Sequence, residues 1–155
     1  MFRFLMGIFL LVLCIVFFTL VRNDANLFDP PGTVKRLAVF LSVNSAATMD
    51  DHPFEELRTP VFDMDADSLY QHVLNGANEL GWGIIAHDSD RHNANFVVRS
   101  PILLFEDDVY VQVRKINEKQ SSLYIQSNSR SDSTHADLAA NSGHIQELIS
   151  KLKGE

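Results

Sequence analysis

Carboxylates, hydroxyls, an amide, a guanidinium and an imidazole gather in the last third of the chain, at Asp107, Asp108, Ser127, Ser129, Arg130, Asp137, Asn141 and His144. Carboxylate beside imidazole is the pairing of general acid–base chemistry, and the whole set is also what a pocket for a small polar ligand is lined with. A Ser–His–Asp set can be drawn from Ser129, His144 and Asp137, yet a nucleophile also requires a shaped turn and an oxyanion site, and neither is legible near Ser129. Two smaller groups offer metal-ligand types. His87, Asp88, Asp90 and His92 combine imidazole and carboxylate at strand-like spacing, although Asp88-Ser89-Asp90 followed by Asn93 is equally the composition of a hairpin turn. Asp50, Asp51 and His52 stand together in a polar loop. No phosphate loop, dinucleotide fingerprint or zinc-helix motif is present, so no cofactor is implied.

The elements that must position these residues follow from hydrophobic period. Val109, Val111 and Val113 alternate with Tyr110, Gln112 and Arg114, and Leu123 and Ile125 alternate with Tyr124 and Gln126, which predicts strands over Asp107–Ile116 and Ser121–Ser129. Residues paired across an antiparallel ladder point to the same face. A register pairing Val113 with Leu123 therefore pairs Val111 with Ile125, Val109 with Ser127 and Asp107 with Ser129, so the inward face turns polar at one end. Two further strands are expected at Trp82–His87 and Asn95–Leu104, the second with a possible break at Pro101. A final helix near Ala136–Leu152 has the apolar stripe Leu138, Ile145, Leu148 and Leu152, and Asn141, Ser142 and Gly143 weaken its first turns enough that it could begin only at His144. Asp137, Asn141 and His144 lie on one arc of that helix, which the chain enters directly from Ser129 and Arg130. Two readings follow. Either these groups line a small pocket, or they satisfy one another and the open N–H groups of the helix start, fixing how the helix docks on the sheet.

Ahead of the strands, Asp63 or Asp65 caps a helix carrying Leu69, Val73, Ala77 and Leu80, and Gly81 is placed to close it in the left-handed conformation. Leu37–Val43 is a short apolar run that fits either a strand or a helix, and Asn44–Pro60 reads mostly as loop. Helix, adjacent strands, helix is an α+β pattern: an antiparallel meander of about four strands with two helices packed on one face.

The N-terminus sets the context. Phe4–Val21 carries no charged side chain and as a helix is about 27 Å long, enough to cross a bilayer core. A cleaved signal peptide is the competing reading, but the run is long for one and no small-residue cleavage site follows it. The chain divides into an anchor or signal sequence at 1–22, a turn-rich linker at 23–36 containing Pro30, Pro31 and Gly32, and a single exposed domain at 37–155. Flanking charge is nearly balanced, with the amino terminus and Arg3 facing Arg22, Lys35 and Arg36, so the expected outward orientation rests on the short N-terminal tail. Cys14 is the one cysteine and lies within the apolar run, which excludes disulfides and thiolate metal sites in the domain. Removing Arg3 with the anchor takes one charge from 13 positive against 20 negative, leaving the exposed part at about −8 and excluding general affinity for nucleic acid.

Arg99-Ser100-Pro101, Phe105, Asp107-Asp108-Val109, Ser127-x-Ser129-Arg130 and Asp137-Leu138-x-x-Asn141 with Ile145 together resemble the bacterial domain-of-unknown-function 1499 family. Its members carry an Asp-Asp-Val strand start, a Ser-x-Ser-Arg strand end, and Asp-(Phe or Leu)-Gly-x-Asn-x-x-Arg-Ile opening the last helix. Asn44-Ser45 falls where the family often has Asn-Cys, and Thr59-Pro60 precede the first domain helix in a similar way, so the likeness covers about residues 44 to 150. The resemblance is that of a divergent member: Ala139 stands for Gly, His144 for Arg and Ser45 for Cys, and the link from Arg130 to Asp137 is longer and lacks its usual Gly. The resemblance implies an envelope protein, often membrane-anchored, and supplies no established activity.

The expectation is a single-pass protein of the inner (cytoplasmic) membrane, held through residues 4–21. Its extracytoplasmic domain binds an envelope protein partner or a small ligand without catalysis. The alternative is an enzyme using Asp107, Ser129, Asp137, Asn141 and His144 for acid–base or metal-assisted hydrolysis.

Overall fold

The computed structural model describes residues 2–99, 106–130 and 136–154. In chain order these form α1 (Phe2–Arg22), α2 (Thr33–Phe40), β1 (Ser45–Ala47), a 3₁₀ turn (Glu55–Leu57), β2 (Val61–Phe62), α3 (Ala66–Glu79), β3 (Gly83–Asp88), β4 (Asn93–Arg99), β5 (Glu106–Asn117), β6 (Gln120–Ser129) and α4 (Ala140–Lys153). The fold is α+β, as expected.

Among the described residues the antiparallel sheet has six strands in the order β1-β6-β5-β4-β3, with β2 also pairing β6. The expected meander is β3 to β6. The two added strands, β1 and β2, lie in or beside the stretch read as loop, and at two or three residues each they are too short to show a period. The inferred ladder between β5 and β6 is present: Val113 pairs with Leu123, Val111 with Ile125, Val109 with Ser127 and Asp107 with Ser129. Pro101 lies outside the described residues, so its break in the second strand is not described.

Alternation of buried and half-buried residues along β5 and β6 sends one side of the sheet into the core, where α3 and α4 pack together. Phe96, Val109, Val111, Leu123 and Ile125 meet Leu69, Val73, Ala77, Ile145 and Leu148, all fully buried. Each of these side chains except the smaller Ala77 contributes roughly 1.5–3 kcal/mol by leaving water. Asp65 is the cap of α3, its carboxylate accepting from Ser68 N at 2.9 Å, and Gly81 ends the helix at φ +78°. Gly76 lets the two helices close, since a Cβ there would stand 3.1 Å from Leu152 Cδ2.

The expected linker carries structure of its own. Thr33–Phe40 is helical, so the ambiguous apolar run Leu37–Val43 is helix as far as Phe40 and turn beyond it, and Asn23–Gly32 is folded by backbone bonds such as Ala25 N to Leu20 O at 3.1 Å. Arg36, counted above among the charges flanking the membrane, is instead 0% exposed. Its guanidinium donates to Ala25 O, Asp29 O and Pro30 O at 3.3, 3.1 and 2.8 Å, lies 4.3 Å over the Phe54 ring, and pairs with Glu56 through both nitrogens. Burial works to raise the Glu56 carboxyl, but the Arg36 hydrogen bond and charge outweigh it and hold the group below its usual range.

α1 is joined to the domain rather than tethered to it. Leu20 is 1% exposed within the core, Val16 packs against that core one turn earlier, and Asn23 Nδ2 donates to Leu138 O at 2.9 Å. A Cβ on Gly143 would meet Asn23 O at 3.0 Å, so glycine there permits the close approach of α4 to the end of α1.

Candidate functional site

The end of the sheet where β5 begins and β6 finishes carries the polar residues, and α4 starts directly above it. Asp137 opens α4 as a helix-start acceptor: one oxygen takes Ala139 N at 2.9 Å, the other takes Asn141 N at 3.0 Å and Asn141 Nδ2 at 2.7 Å. Two residues in the left-handed region, Leu138 at φ +50° and Ala139 at +69°, turn the chain between Asp137 and the helix. Asn141 then reaches back to the sheet, accepting from Ser127 Oγ at 2.5 Å and donating to Ser129 Oγ at 3.1 Å and Asn44 O at 2.8 Å. Asn44 O also accepts Ser129 N at 3.1 Å, so β1, β6 and α4 are tied at one point. Burial raises the Asp137 carboxyl above its usual range, against the opposing hydrogen bonds from Asn141 and Ala139, with Asp107 adding a like charge.

One turn along α4, His144 Nε2 lies 3.0 Å from Asp107 Oδ2, and both side chains are largely covered. Trp82 packs edge-on against the imidazole at 6.2 Å between ring centres. Nδ1 of His144 has no hydrogen-bond partner among the described residues. The residue borders an open groove of about 690 Å³ between the end of α1 and the outer side of α4, whose walls include Arg22, Asp24, Leu80, Glu147 and Lys151.

Of the eight residues singled out in the sequence, six meet here: Asp107, Ser127, Ser129, Asp137, Asn141 and His144. Asp108 and Arg130 do not join them. Asp108 pairs with Asn128 in the ladder and projects from the other face, where Arg130 binds it at 2.7 Å and also binds Glu106. The Arg99 and Arg130 hydrogen bonds hold the Glu106 carboxyl below its usual range. The hydrolase-like set is not assembled, because His144 bonds Asp107 rather than Asp137 and Ser129 Oγ accepts from Asn141.

The metal-ligand candidates are dispersed. His87 Nδ1 lies 3.3 Å from Tyr70 Oη, Asp88 accepts from Asp90 N and Arg91 N as a turn residue, and His92 meets Asp67 at 2.7 Å. Asp50 and Asp51 are exposed, and His52 Nδ1 accepts Phe54 N at 3.0 Å within its own loop. No group of three or more His, Cys, Asp or Glu among the described residues is placed to hold a metal ion.

Sequence reasoning missed Asn44 as part of the cluster, Trp82 against His144, and Arg36 with Glu56. Asn44 and Trp82 enter through the tertiary arrangement and leave no local pattern. The resemblance carried one usable signal, the family glycine at the position of Ala139, which marks a left-handed turn.

An apolar N-terminal helix, an antiparallel sheet covered on one side by helices, and an aspartate–asparagine latch locking the last helix to the strand ends define an α+β domain led by a helix long enough to cross a membrane. The chain belongs to the family described as protein of unknown function (DUF1499), whose model matches residues 38–152. No curated protein matches the chain.

Proposed function

We propose that the chain is a single-pass protein of the cytoplasmic membrane that keeps α1 as its anchor, and that its domain, on the extracytoplasmic side, binds a small polar ligand without catalysis in the groove bordered by His144. The observation that carries the binding reading is how hydrogen bonding is divided in the cluster. Asp137, Asn141, Ser127 and Ser129 are engaged with one another and with the start of α4, the work of a structural latch. His144 alone among the six also borders the groove, fixed by Asp107 and with Nδ1 uncommitted among the described residues. A groove holding Arg22 and Lys151 beside Asp24 and Glu147 suits a ligand with both acceptor and donor groups. Retention of α1 is supported by Leu20 and Val16, since cleavage after the apolar run would remove one core side chain and another that packs against the core.

The test is a native mass spectrum of the full chain, extracted in detergent from its own host without chelators. A retained mass, released on unfolding and absent from His144→Ala, is the expected result. An unadorned wild-type mass overturns the ligand reading and directs the search to protein partners. A mass beginning beyond residue 22 overturns the anchor.

A further inference from the structure

Outside α1, large exposed apolar side chains concentrate in the segment that follows it. Phe28 is 85% exposed and Val34 82%, with Leu41 at 49%, Val39 at 39% and Val43 at 38%. Others, Met49, Val61, Ile84, Ile85 and Ile116, are scattered over loops and strand edges. α2 is apolar on both faces: Phe40 and Leu37 pack inward with the buried Arg36, while Val34, Ala38 and Leu41 form an outward stripe at i, i+4 and i+7. Lys35 lies exposed on the polar border of that stripe.

This segment sits at the membrane end of the domain. Leu138 N and Asp137 N donate to Phe40 O and Val43 O, so α2 ends beside the same turn that Asn23, the residue after α1, holds. The domain also packs beside α1 as far back as Val16, about 9 Å along the helix from Arg22. A bilayer covering Phe4–Val21 therefore meets the domain itself. Phe28 lies between Ala25, whose N–H donates to Leu20 O, and Pro30, whose carbonyl Arg36 holds.

We infer that Phe28 and the outward stripe of α2 are seated in the boundary between headgroups and acyl chains, so that the domain is fixed against the bilayer at a second place beside its anchor. This rests on the reading of α1 as a retained span. The occupant is the apolar boundary layer and not anionic lipid, because the domain carries about −8 overall and the patch offers apolar side chains with Lys35 and Arg22 at its edge. Seating is accordingly insensitive to salt and to the anionic fraction of the bilayer.

The experiment uses the full chain in phosphatidylcholine vesicles, with an environment-sensitive fluorophore on single cysteines and nitroxide-bearing lipids as quenchers. Native Cys14 reports on the span. Phe28→Cys, Val34→Cys and Asp90→Cys, each in a Cys14→Ser background, report on the patch and on the exposed turn between β3 and β4 at the opposite end of the sheet. The substituted side chains are all exposed, so folding is not at risk. The expected result is at least about a twofold loss of emission from positions 14, 28 and 34 and little from 90. Quenching at 14 with 28 and 34 behaving like 90 overturns the seating and leaves the anchor standing. Blue-shifted emission at 28 and 34 that lipid nitroxides do not quench means that protein, such as a second copy, covers the patch, and also overturns it. No quenching at 14 overturns the anchor and the seating together.

Discussion

Arg36→Met is the substitution whose cost the structure fixes most closely. Methionine keeps an unbranched stem over the Phe54 ring but removes every donor. Glu56, 15% exposed, then holds a carboxylate with no guanidinium beside it, and the carbonyls of Ala25, Asp29 and Pro30 each lose an N–H. Removing one partner of a buried pair costs about 3–5 kcal/mol. The residual exposure of Glu56 admits some water and moves the expectation to the lower half of that range, while the orphaned Ala25 carbonyl, buried in the structure, restores part of it. A loss of about 3–4 kcal/mol is expected, which for a chain of this size lowers the melting temperature by roughly 6–16 °C. Glu56→Gln is the comparison: it too leaves a buried charge without its partner, but Arg36 keeps its three carbonyls and Gln an acceptor, so a smaller loss of about 2–3 kcal/mol is expected. The assay is urea unfolding of the full chain in detergent micelles, followed by fluorescence of Trp82, the one tryptophan and 6% exposed. Acid supplies a second readout. A carboxyl held below its usual range stabilises the fold fully above its unfolded pKa, and that contribution disappears as pH falls through the folded one. Wild type therefore loses the Glu56 contribution on acidification, whereas the penalty of Arg36→Met shrinks as its unpaired carboxylate is protonated. A loss below about 1 kcal/mol for Arg36→Met, or a larger loss for Glu56→Gln, refutes the assignment of Arg36 as the group that folds residues 25–30 onto the domain.

The latch makes three further predictions. Asn141→Leu leaves Ser127 Oγ without its acceptor and Ser129 Oγ without its donor, and should cost about 2–4 kcal/mol in the same unfolding assay; a double-mutant cycle with Ser127→Ala should show coupling above about 0.5 kcal/mol. Ala139→Gly relieves a left-handed alanine and should stabilise by about 1 kcal/mol, seen as a rise of roughly 2–4 °C in melting temperature; a fall would refute the strain argument. Because burial raises the Asp137 carboxyl, the folded state takes up its proton at higher pH than the unfolded chain, so this group's contribution weakens as pH rises from its unfolded pKa through its folded pKa and is constant above. Asp137→Asn should remove that slope from a series of melting temperatures, and an unchanged slope would assign it to another group.

What could be read in advance was governed by distance along the chain. The β5–β6 register followed from period-two alternation and a short turn, and it placed Asp107 against Ser129 correctly because one buried face allows no one-residue slip. The same parity, carried one residue further, places Asp108 against Asn128 on the other face with Arg130 beside it, so the departure of those two from the pocket was already implicit in the pairing. Arg36 was legible only as a charge in a turn-rich stretch. Its partner Glu56 lies twenty residues away and its other partners are backbone carbonyls, none of which marks a sequence. The cap of α3 was readable because Asp65 and Ser68 are neighbours in sequence, whereas Asn44 reaches Asn141 only through the folded sheet.

The family motif acquires a physical meaning from these contacts. Asp137 terminates the N–H groups of α4, the next-but-one position must accept positive φ, and Asn141 fastens the helix to Ser127 and Ser129, so the Asp-x-Gly-x-Asn and Ser-x-Ser patterns form one structural device. That device also supplies Leu138 O to Asn23, which places the end of α1 on the latch itself. Any displacement of α1 relative to the domain therefore acts first on the turn preceding α4, with His144 one helical turn on. Gly143→Leu, which must push Asn23 away from a backbone contact of 3.0 Å, is the direct probe of that connection. Its expected effect is to loosen α1 from α4 while the β5–β6 ladder persists. Hydrogen exchange should then rise at residues 20–26 and 138–146 and hold unchanged in β5 and β6, and uniform protection throughout would show that α1 and the latch are independent.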